Sequence, residues 1–275
     1  MSPRHRPWEE AADFRIGLAP IAAADWLEGG EADPAARKDA LFAADRDVVW
    51  AELPSSRPAQ AEVLRMVGSA VGPVAPRPDL PPLYAAARAV PDDLCLMQKL
   101  DGQWRLTALS LSAGSFFTAS EVVGRSLAEL HAPVTGFAER LLVRVQRIFE
   151  GLRPELVLER RNWTLLNSHD LHTPRAAPIR ARIGEIAPNE AGQALHLRVE
   201  RQTLRRLPET GGALFTIRVW LAPLGSLAEE PARLAAFAEA WRTATPEFRA
   251  YKRLDLYDPL VEAFLASVDA AAPGA

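Results

Sequence analysis

The stretch between residues 93 and 113 leaves little choice of local structure. Two apolar runs, residues 94–99 and 104–111, flank the dipeptide Asp101-Gly102. Asp-Gly favours a tight turn with positive φ at both positions, and such runs on either side of it are typical of paired strands. The sequence therefore predicts a β-hairpin here.

Three more strands are predicted after a helical segment. Residues 120–130 and 137–151 have helical periodicity, and the second stretch places its apolar residues on one face. Strands follow at residues 156–166, 195–204 and 213–221. A hairpin, a helical crossover and a three-stranded meander predict an α+β, PAS-like fold, a five-stranded antiparallel sheet with helices over one face. Such a sheet and its covering helix enclose an apolar cleft for a small ligand or a flat cofactor.

The two ends of the chain are predicted to be helical decorations on this core. Residues 14–67 have apolar residues at helical spacing, and residues 72–82 contain five prolines, which exclude a helix interior or a central strand. Residues 227–267 are again helical in pattern. The 275 residues are expected to form one domain with an N-terminal helical lobe and proline-rich boundary (1–85), a PAS-like core (86–225) and C-terminal helices (226–275).

Composition narrows the classes of function and compartment. With 48% hydrophobic and 24% charged residues the chain is an ordinary globular protein, and its net charge of −3 gives no basic footprint for nucleic acid. The single cysteine, Cys95, excludes an internal disulfide, a cysteine-based zinc site and an iron–sulfur cluster held by this chain alone. No secretory signal opens the sequence, and no apolar run reaches the roughly 18 residues that span a bilayer. A cytoplasmic protein without a membrane or nucleic-acid partner is expected.

His131 is the first candidate for chemistry. It stands at a helix break and is followed at once by Ala132-Pro133-Val134. A neutral histidine in such a place can bind a haem iron through one ring nitrogen while the other donates a hydrogen bond that fixes the tautomer. A lone histidine beside a loop is more often satisfied by backbone groups, so position alone leaves both readings open.

The strand at residues 195–204 has an unusually polar face. His196, Arg198, Glu200 and Gln202 alternate with apolar residues along it. In an antiparallel sheet with one buried face, these polar side chains face solvent, and the alternative is a polar pocket. In a pocket, Arg198 and Glu200 would position a cationic amine or carry protons, and the propionates of a haem would pair with Arg201, Arg205 and Arg206.

Other polar residues interrupt apolar strands or precede them. Trp163 follows Arg160-Arg161-Asn162 and is expected to serve as core or as a lid. Arg218 lies in the last strand between two apolar residues and is either solvent-facing or anion-binding. Asp93 at the start of the first strand is either an acid–base group or part of a solvated turn.

Several segments together resemble the haem-dependent oxidative N-demethylase family. The resemblance runs from about residue 17 to residue 252, and its most specific part is residues 200–208, in the expected order after the His131-Ala132-Pro133-Val134 element. The segments that carry it are Gly17-Leu18-Ala19-Pro20, Asp25-Trp26-Leu27, Asp93-Leu94-Cys95-Leu96, residues 127–134, Arg161-Asn162-Trp163, residues 198–208, residues 214–218 and Tyr251-Lys252.

The resemblance implies a PAS-like haem domain that removes a methyl group from a small, dimethylamine-like secondary amine, using dioxygen and releasing formaldehyde. It implies a b-type haem with His131 as the axial ligand, and electrons from a partner reductase that carries flavin and an iron–sulfur cluster. Because histidine donates less electron density than a thiolate, O–O cleavage would depend on pocket acid–base groups, for which the candidates are Glu200, Arg198 and Asp93. The expected haem contacts are Arg201, Arg206, Arg218 and Trp163.

Two departures from the family pattern bear on the activity. The family usually has a Pro-Ser-x-Trp-like element after the second strand, whereas this chain reads Ser112-Ala113-Gly114-Ser115-Phe116-Phe117, and Thr135 stands where proline is common. If that region shapes the pocket, the substrate differs or turnover is lost while haem binding survives. Two other functions therefore stay open: a haem-binding or ligand-sensing PAS module without turnover, and an accessory subunit whose polar strand face is solvated.

Overall fold

A seven-stranded antiparallel sheet organises the chain. The computed structural model describes residues 5–9, 16–132 and 141–271. The strands are β1 (Ala19–Ile21), β2 (Trp50–Glu52), β3 (Asp93–Leu100), β4 (Gln103–Ser110), β5 (Val157–Leu166), β6 (His196–Arg206) and β7 (Ala213–Pro223), in the spatial order β1-β5-β6-β7-β3-β4-β2. The α+β prediction is confirmed, and the prediction of five strands is wrong because two short edge strands come from the N-terminal region.

The predicted hairpin is confirmed as β3 and β4. Asp101 and Gly102 both have positive φ, 49° and 77°, as the tight turn requires. The strands pair from Leu94 with Ser110 to Leu100 with Gln103, with one irregularity after Leu96. Local turn chemistry therefore determines this pairing.

The helices lie mainly before β3, between β4 and β5, and after β7. They are α1 (Pro34–Ala44), α2 (Arg46–Val49), α3 (Arg57–Val71), α4 (Pro82–Ala87), α5 (Ala119–Val122), α6 (Leu127–Leu130), α7 (Leu142–Gly151), α8 (Ala176–Ala181), α9 (Ala191–Ala194), α10 (Pro231–Thr243), α11 (Pro246–Lys252) and α12 (Asp258–Ala271). No helix in these described ranges is long and apolar enough to cross a bilayer.

The predicted helix at residues 120–130 is two short helices. Each has its own capping box, Thr118 with Glu121 for α5 and Ser126 with Glu129 for α6. Gly124 has φ 81° between them. The first helix therefore ends at Val122, and the Ser126 side chain accepts a hydrogen bond from the Glu129 amide to begin the second. In the predicted helix at 137–151, α7 confirms the later part, and residues 137–140 lie outside the described residues.

Helices cover both faces of the sheet, so the prediction of helices over one face is wrong. Along β3 the side chains alternate: Leu94 and Leu96 pack with α3 and α4, whereas Cys95 and Met97 pack with α5, α6 and α7. A strand buried on both sides carries apolar residues on both faces. We call the side of Cys95 and Met97 the crossover face, and the side of Leu94 and Leu96 the terminal face.

The terminal face is covered by both ends of the chain. The N-terminal region packs near Leu94, and the C-terminal helices pack on Trp163, Leu197 and Val199 through residues such as Phe237. The N-terminal region was predicted to be a helical lobe without strands, and β1 and β2 correct that prediction. Three-residue strands have little pattern of their own and form by pairing with β5 and β4.

A buried arginine attaches the N-terminal region to the sheet. Arg201 on β6 is 1% exposed, and its Nε lies 2.5 Å from a carboxylate oxygen of Glu159 on β5. Its remaining nitrogens donate to the backbone carbonyls of Trp26, at 2.8 Å, and Asp25. The Trp26 indole donates to the Thr203 hydroxyl at 3.1 Å. Arg201 thus joins the buried carboxylate of Glu159 to the backbone of the N-terminal region.

We expect Arg201→Met to lower the free energy of unfolding by about 3–5 kcal/mol, because it removes the buried cation that pairs with Glu159 and donates to the Trp26 and Asp25 carbonyls. Arg161, directly opposite on β5, pairs with the same carboxylate at 2.8 Å, but its side chain is 39% exposed. Arg161→Met should therefore cost less than about 1 kcal/mol. Chemical denaturation of both variants measures the difference, and equal losses would contradict this role for Arg201.

Candidate functional site

Polar side chains gather on the crossover face where β5 and β6 run side by side. Arg198, Glu200 and Gln202 alternate along β6 on this face. In the antiparallel register Asn162 lies opposite Glu200, and Arg160 lies opposite Gln202. The pairing therefore gathers two arginines, two amides and one carboxylate on one side of two strands. We call these five residues the crossover-face cluster.

Glu200 is the centre of the crossover-face cluster. Its carboxylate accepts hydrogen bonds from Arg198 Nε at 3.0 Å, Gln202 Nε2 at 2.8 Å and Asn162 Nδ2 at 3.3 Å. Burial alone would raise its pKa, but the charges of Arg198 and Lys252 and the hydrogen bonds outweigh burial and lower the pKa. Glu200 is therefore an ionised carboxylate at neutral pH, with a side chain 18% exposed.

Arg198 connects the crossover-face cluster to the segment that follows β4. It is 2% exposed, and besides Glu200 it donates to the carbonyl oxygens of Ala113 and, at 3.2 Å, Leu171. Asp93 holds the same segment from the other side: its carboxylate accepts from the Ser112 amide at 2.5 Å and from the Ala113 amide at 3.1 Å. The start of the divergent segment 112–117 is thus fixed by two buried side chains.

Two residues at the end of α11 lie near the crossover-face cluster. Phe248 of this helix packs on Trp163, with ring centroids 5.6 Å apart, which holds α11 beside β5. The Lys252 ammonium lies 5.9 Å from the Phe248 ring centroid and 4.8 Å from that of Tyr251. Burial lowers the pKa of Lys252 to about 8, with Glu200 acting to raise it and Arg160 and Arg198 to lower it further.

His131 ends α6 on the same side of the sheet. Its Nδ1 lies 2.8 Å from the carbonyl oxygen of Leu127, one turn earlier. Because a carbonyl oxygen only accepts, Nδ1 carries the proton and Nε2 carries the lone pair. Burial lowers the pKa of His131, the Leu127 hydrogen bond opposes this, and the positive charge of Arg160 lowers it further. The imidazole is thus neutral near pH 7, with Nε2 as the nitrogen able to bind a metal.

The site residues that were predicted from the sequence do not all lie on one face of the sheet. His131, Arg198 and Glu200 lie together on the crossover face, with Asp93 turned to the segment beside them. Arg206 is on the same face at the other end of β6. Its guanidinium carbon lies 5.3 Å from the Trp104 ring centroid, and it donates to the Phe149 carbonyl at 3.3 Å.

Three predicted haem contacts lie on the terminal face. Arg201 binds Glu159 and the N-terminal backbone. A guanidinium nitrogen of Arg218 lies 3.3 Å from a carboxylate oxygen of Glu31. Trp163 packs in the core, with its ring centroid 5.9 Å from that of Phe237. Strand alternation determines this division, since Arg201 is an odd number of residues from both Arg198 and Arg206.

Sequence reasoning assigned no role to Arg160, Tyr251 or Lys252. Arg160 sits on β5 two residues before Asn162, and the strand period alone places the two on one face. Lys252 carries no such signal, because it reaches Glu200 only through the packing of a helix that is far away in sequence. Pro133, Val134 and Thr135 lie outside the described residues.

The contribution of Glu200 to stability should depend on pH. Its folded-state pKa is lowered, so the ionised carboxylate stabilises the fold above the unfolded-state pKa of about 4.3, and the effect is lost as the pH falls through the folded-state value. We expect Glu200→Gln to destabilise the protein at pH 7 and the difference from wild type to shrink towards pH 3. Glu185→Gln, at an exposed carboxylate, should change little throughout. Denaturation at several pH values tests this, and a gap that widens in acid would contradict it.

A family comparison covers the candidate site. The model of the family described as haem-dependent oxidative N-demethylase, alpha subunit-like, matches residues 68–261. The match spans well over half of the chain and includes His131, the crossover-face cluster and Lys252, and it confirms the resemblance found in the sequence. The chain belongs to the haem-dependent oxidative N-demethylase, alpha subunit-like family.

Proposed function

We propose that this chain is a catalytic subunit that binds haem through His131 and oxidatively demethylates a small secondary amine. The observation that carries the proposal is the tautomer of His131. The imidazole is half-buried and neutral, and its Nδ1–H donates to the Leu127 carbonyl, so the lone pair is on Nε2. Metal-bound histidines typically donate a hydrogen bond from the ring nitrogen that does not bind the metal. A haem iron needs only one or two side-chain ligands, so this donor fits the group that the family name calls for.

The surroundings of His131 suit a flat, largely apolar cofactor with a polar edge. Beside the crossover-face cluster the same sheet face carries Phe215 and Ile217, both half-buried, and the buried Cys95. We propose a b-type haem between this face and helices α6 and α7. Arg206 remains a proposed propionate partner, whereas we assign Arg201, Arg218 and Trp163 to holding the terminal face together.

The order of the five long strands supports a PAS-like core within the larger sheet. The hairpin β3–β4 joins the meander β5–β6–β7 through the pairing of β7 with β3. We propose that this core, the N-terminal region and the C-terminal helices act as one domain, since the two ends of the chain share the terminal face.

The reaction needs an oxidant, electrons and protons. Haem, when bound, supplies the site at which dioxygen is reduced, with two electrons from a partner reductase carrying flavin and an iron–sulfur cluster. One oxygen atom enters the N-methyl group, and the resulting carbinolamine collapses to formaldehyde and the demethylated amine. The other oxygen atom leaves as water after taking up two protons.

The chain's own residues would position the amine and supply protons. Ionised Glu200 accepts hydrogen bonds from a cationic amine and holds it beside the haem. Arg198 fixes the Glu200 carboxylate, and Asp93 fixes the segment 112–117 that closes this side. We propose Glu200 as the proton-carrying group because its carboxylate is both ionised and partly open to solvent. We propose the cytoplasm as the compartment, because a chain with the single cysteine Cys95 has no internal disulfide that would need an oxidising environment.

The test is the visible spectrum of haem-reconstituted protein. We expect a Soret band in the wild type that is lost or shifted in His131→Ala. His196→Ala is a matched control, because His196 is also half-buried and its Nδ1 also lies near a backbone carbonyl, that of Ala194, at 3.3 Å. Its band should be unchanged. No Soret band in the wild-type protein would overturn the proposal.

A second assay separates an enzyme from a haem-binding module without turnover. Haem-loaded protein, a flavin and iron–sulfur reductase, NADPH and dimethylamine should give formaldehyde, and Glu200→Gln should lower its rate by about 10²–10⁴, the usual range for an acid–base group. A haem-loaded protein that releases no formaldehyde from any N-methyl amine would support the sensing module instead.

A further inference from the structure

The crossover-face cluster and Lys252 bring more positive than negative charge together. Arg198 donates to the Glu200 carboxylate at 3.0 Å, Arg160 lies on the same face opposite Gln202, and the charge of Lys252 acts on the same carboxylate. Arg198 is fully engaged by Glu200 and two backbone carbonyls. The other two cations therefore decide what else this site can hold.

Arg160 and Lys252 have no ion-pair partner within the described residues. Arg160 is half-buried, and its Nε is sealed from solvent and makes no hydrogen bond there. Lys252 is half-buried, and its ammonium lies against the rings of Phe248 and Tyr251. Cations removed from water are costly unless an anion accompanies them. Such an arrangement is suited to a ligand that carries negative charge.

A simple dimethylammonium ion would use only one charged group of this site, the Glu200 carboxylate. It would bring no negative charge to Arg160 and Lys252. A carboxylate at the other end of the ligand changes the balance, because the planar arginine fork and the lysine ammonium are the two side chains that best hold carboxylate oxygens.

We propose that Arg160 and Lys252 form a carboxylate-binding site on the crossover face, which rests on the proposed function for its place beside the haem. Two sources of carboxylate share this chemistry. One is a haem propionate. The other is the substrate itself, which would then be an N-methyl amino acid, with its ammonium on Glu200 and its carboxylate between Arg160 and Lys252.

The test compares each acid with its own ester, so that only the carboxylate changes. The first pair is haem and haem dimethyl ester, titrated by visible absorbance. The second pair is N-methylglycine and its methyl ester, titrated by calorimetry into haem-loaded and haem-free protein. We expect the wild type to prefer the acid by about tenfold to a hundredfold in at least one pair, the range for charge-assisted hydrogen bonds.

Variants then assign the preference to these two residues. Arg160→Gln and Lys252→Met should each reduce it by tenfold or more. Arg205→Gln is the matched control, because Arg205 is also half-buried with a buried Nε that lacks a hydrogen bond within the described residues, but it stacks on Trp26 at the terminal face. This control should keep the full preference.

Each result has a distinct meaning. A preference in the haem pair identifies a propionate as the ligand, and one in the N-methylglycine pair identifies an N-methyl amino acid. If the wild type prefers neither acid, or if Arg205→Gln loses the preference as fully as the two variants, the proposal is overturned. If the wild type binds no haem, the proposed function fails, and N-methylglycine binding to haem-free protein still decides whether the carboxylate site exists.

Discussion

The side chain of Arg198 holds three separate parts of the chain at one point. It binds Glu200 on its own strand, the carbonyl of Ala113 after the hairpin, and the carbonyl of Leu171 in the connection after β5. A guanidinium that is 2% exposed must have all these acceptors, since a buried cation without them would cost several kcal/mol. The ionised state of Glu200 and the position of the segment at 112–117 both depend on it.

Arg201 lies three residues after Arg198 on the same strand and on the opposite face of the sheet. Arg201 points to the terminal face and binds Glu159 and the backbone at Trp26, so it attaches the N-terminal region to the sheet. Arg198 points to the crossover face and orders the candidate site. The two roles share a strand, so the N-terminal region and the site are joined through β6, although they occupy opposite faces.

The sequence predicts those parts of the fold that neighbouring residues determine, and it fails where a partner distant in sequence is needed. The hairpin at Asp101-Gly102 follows from turn chemistry alone, and the polar face of β6 follows from alternation. The edge strands β1 and β2 were missed because three residues carry little pattern and need a partner strand. The break at Gly124 and Ser126 was missed because helical periodicity on both sides concealed a second cap.

Some residues of the candidate site could likewise be predicted from their neighbours in sequence, and others could not. His131 and Glu200 were predicted from their unusual local settings, and the structure places both on the crossover face. Alternation separates Arg201 from Arg198, but which face meets the helices of the crossover depends on packing that no local pattern encodes. Lys252 comes to the site from a C-terminal helix, which packing contacts such as that of Phe248 with Trp163 hold beside β5.

The central claim is that Nε2 of His131 is the nitrogen that binds the haem iron. Resonance Raman spectroscopy of the reduced, haem-loaded protein tests it through the iron–imidazole stretching band. With His131 as the ligand, we expect this band in the wild type, its absence in His131→Gly, and its return with an isotope shift when ¹⁵N-labelled imidazole is added to that variant. An unchanged iron–imidazole band in His131→Gly without added imidazole would rule out His131, because another histidine would then be the ligand.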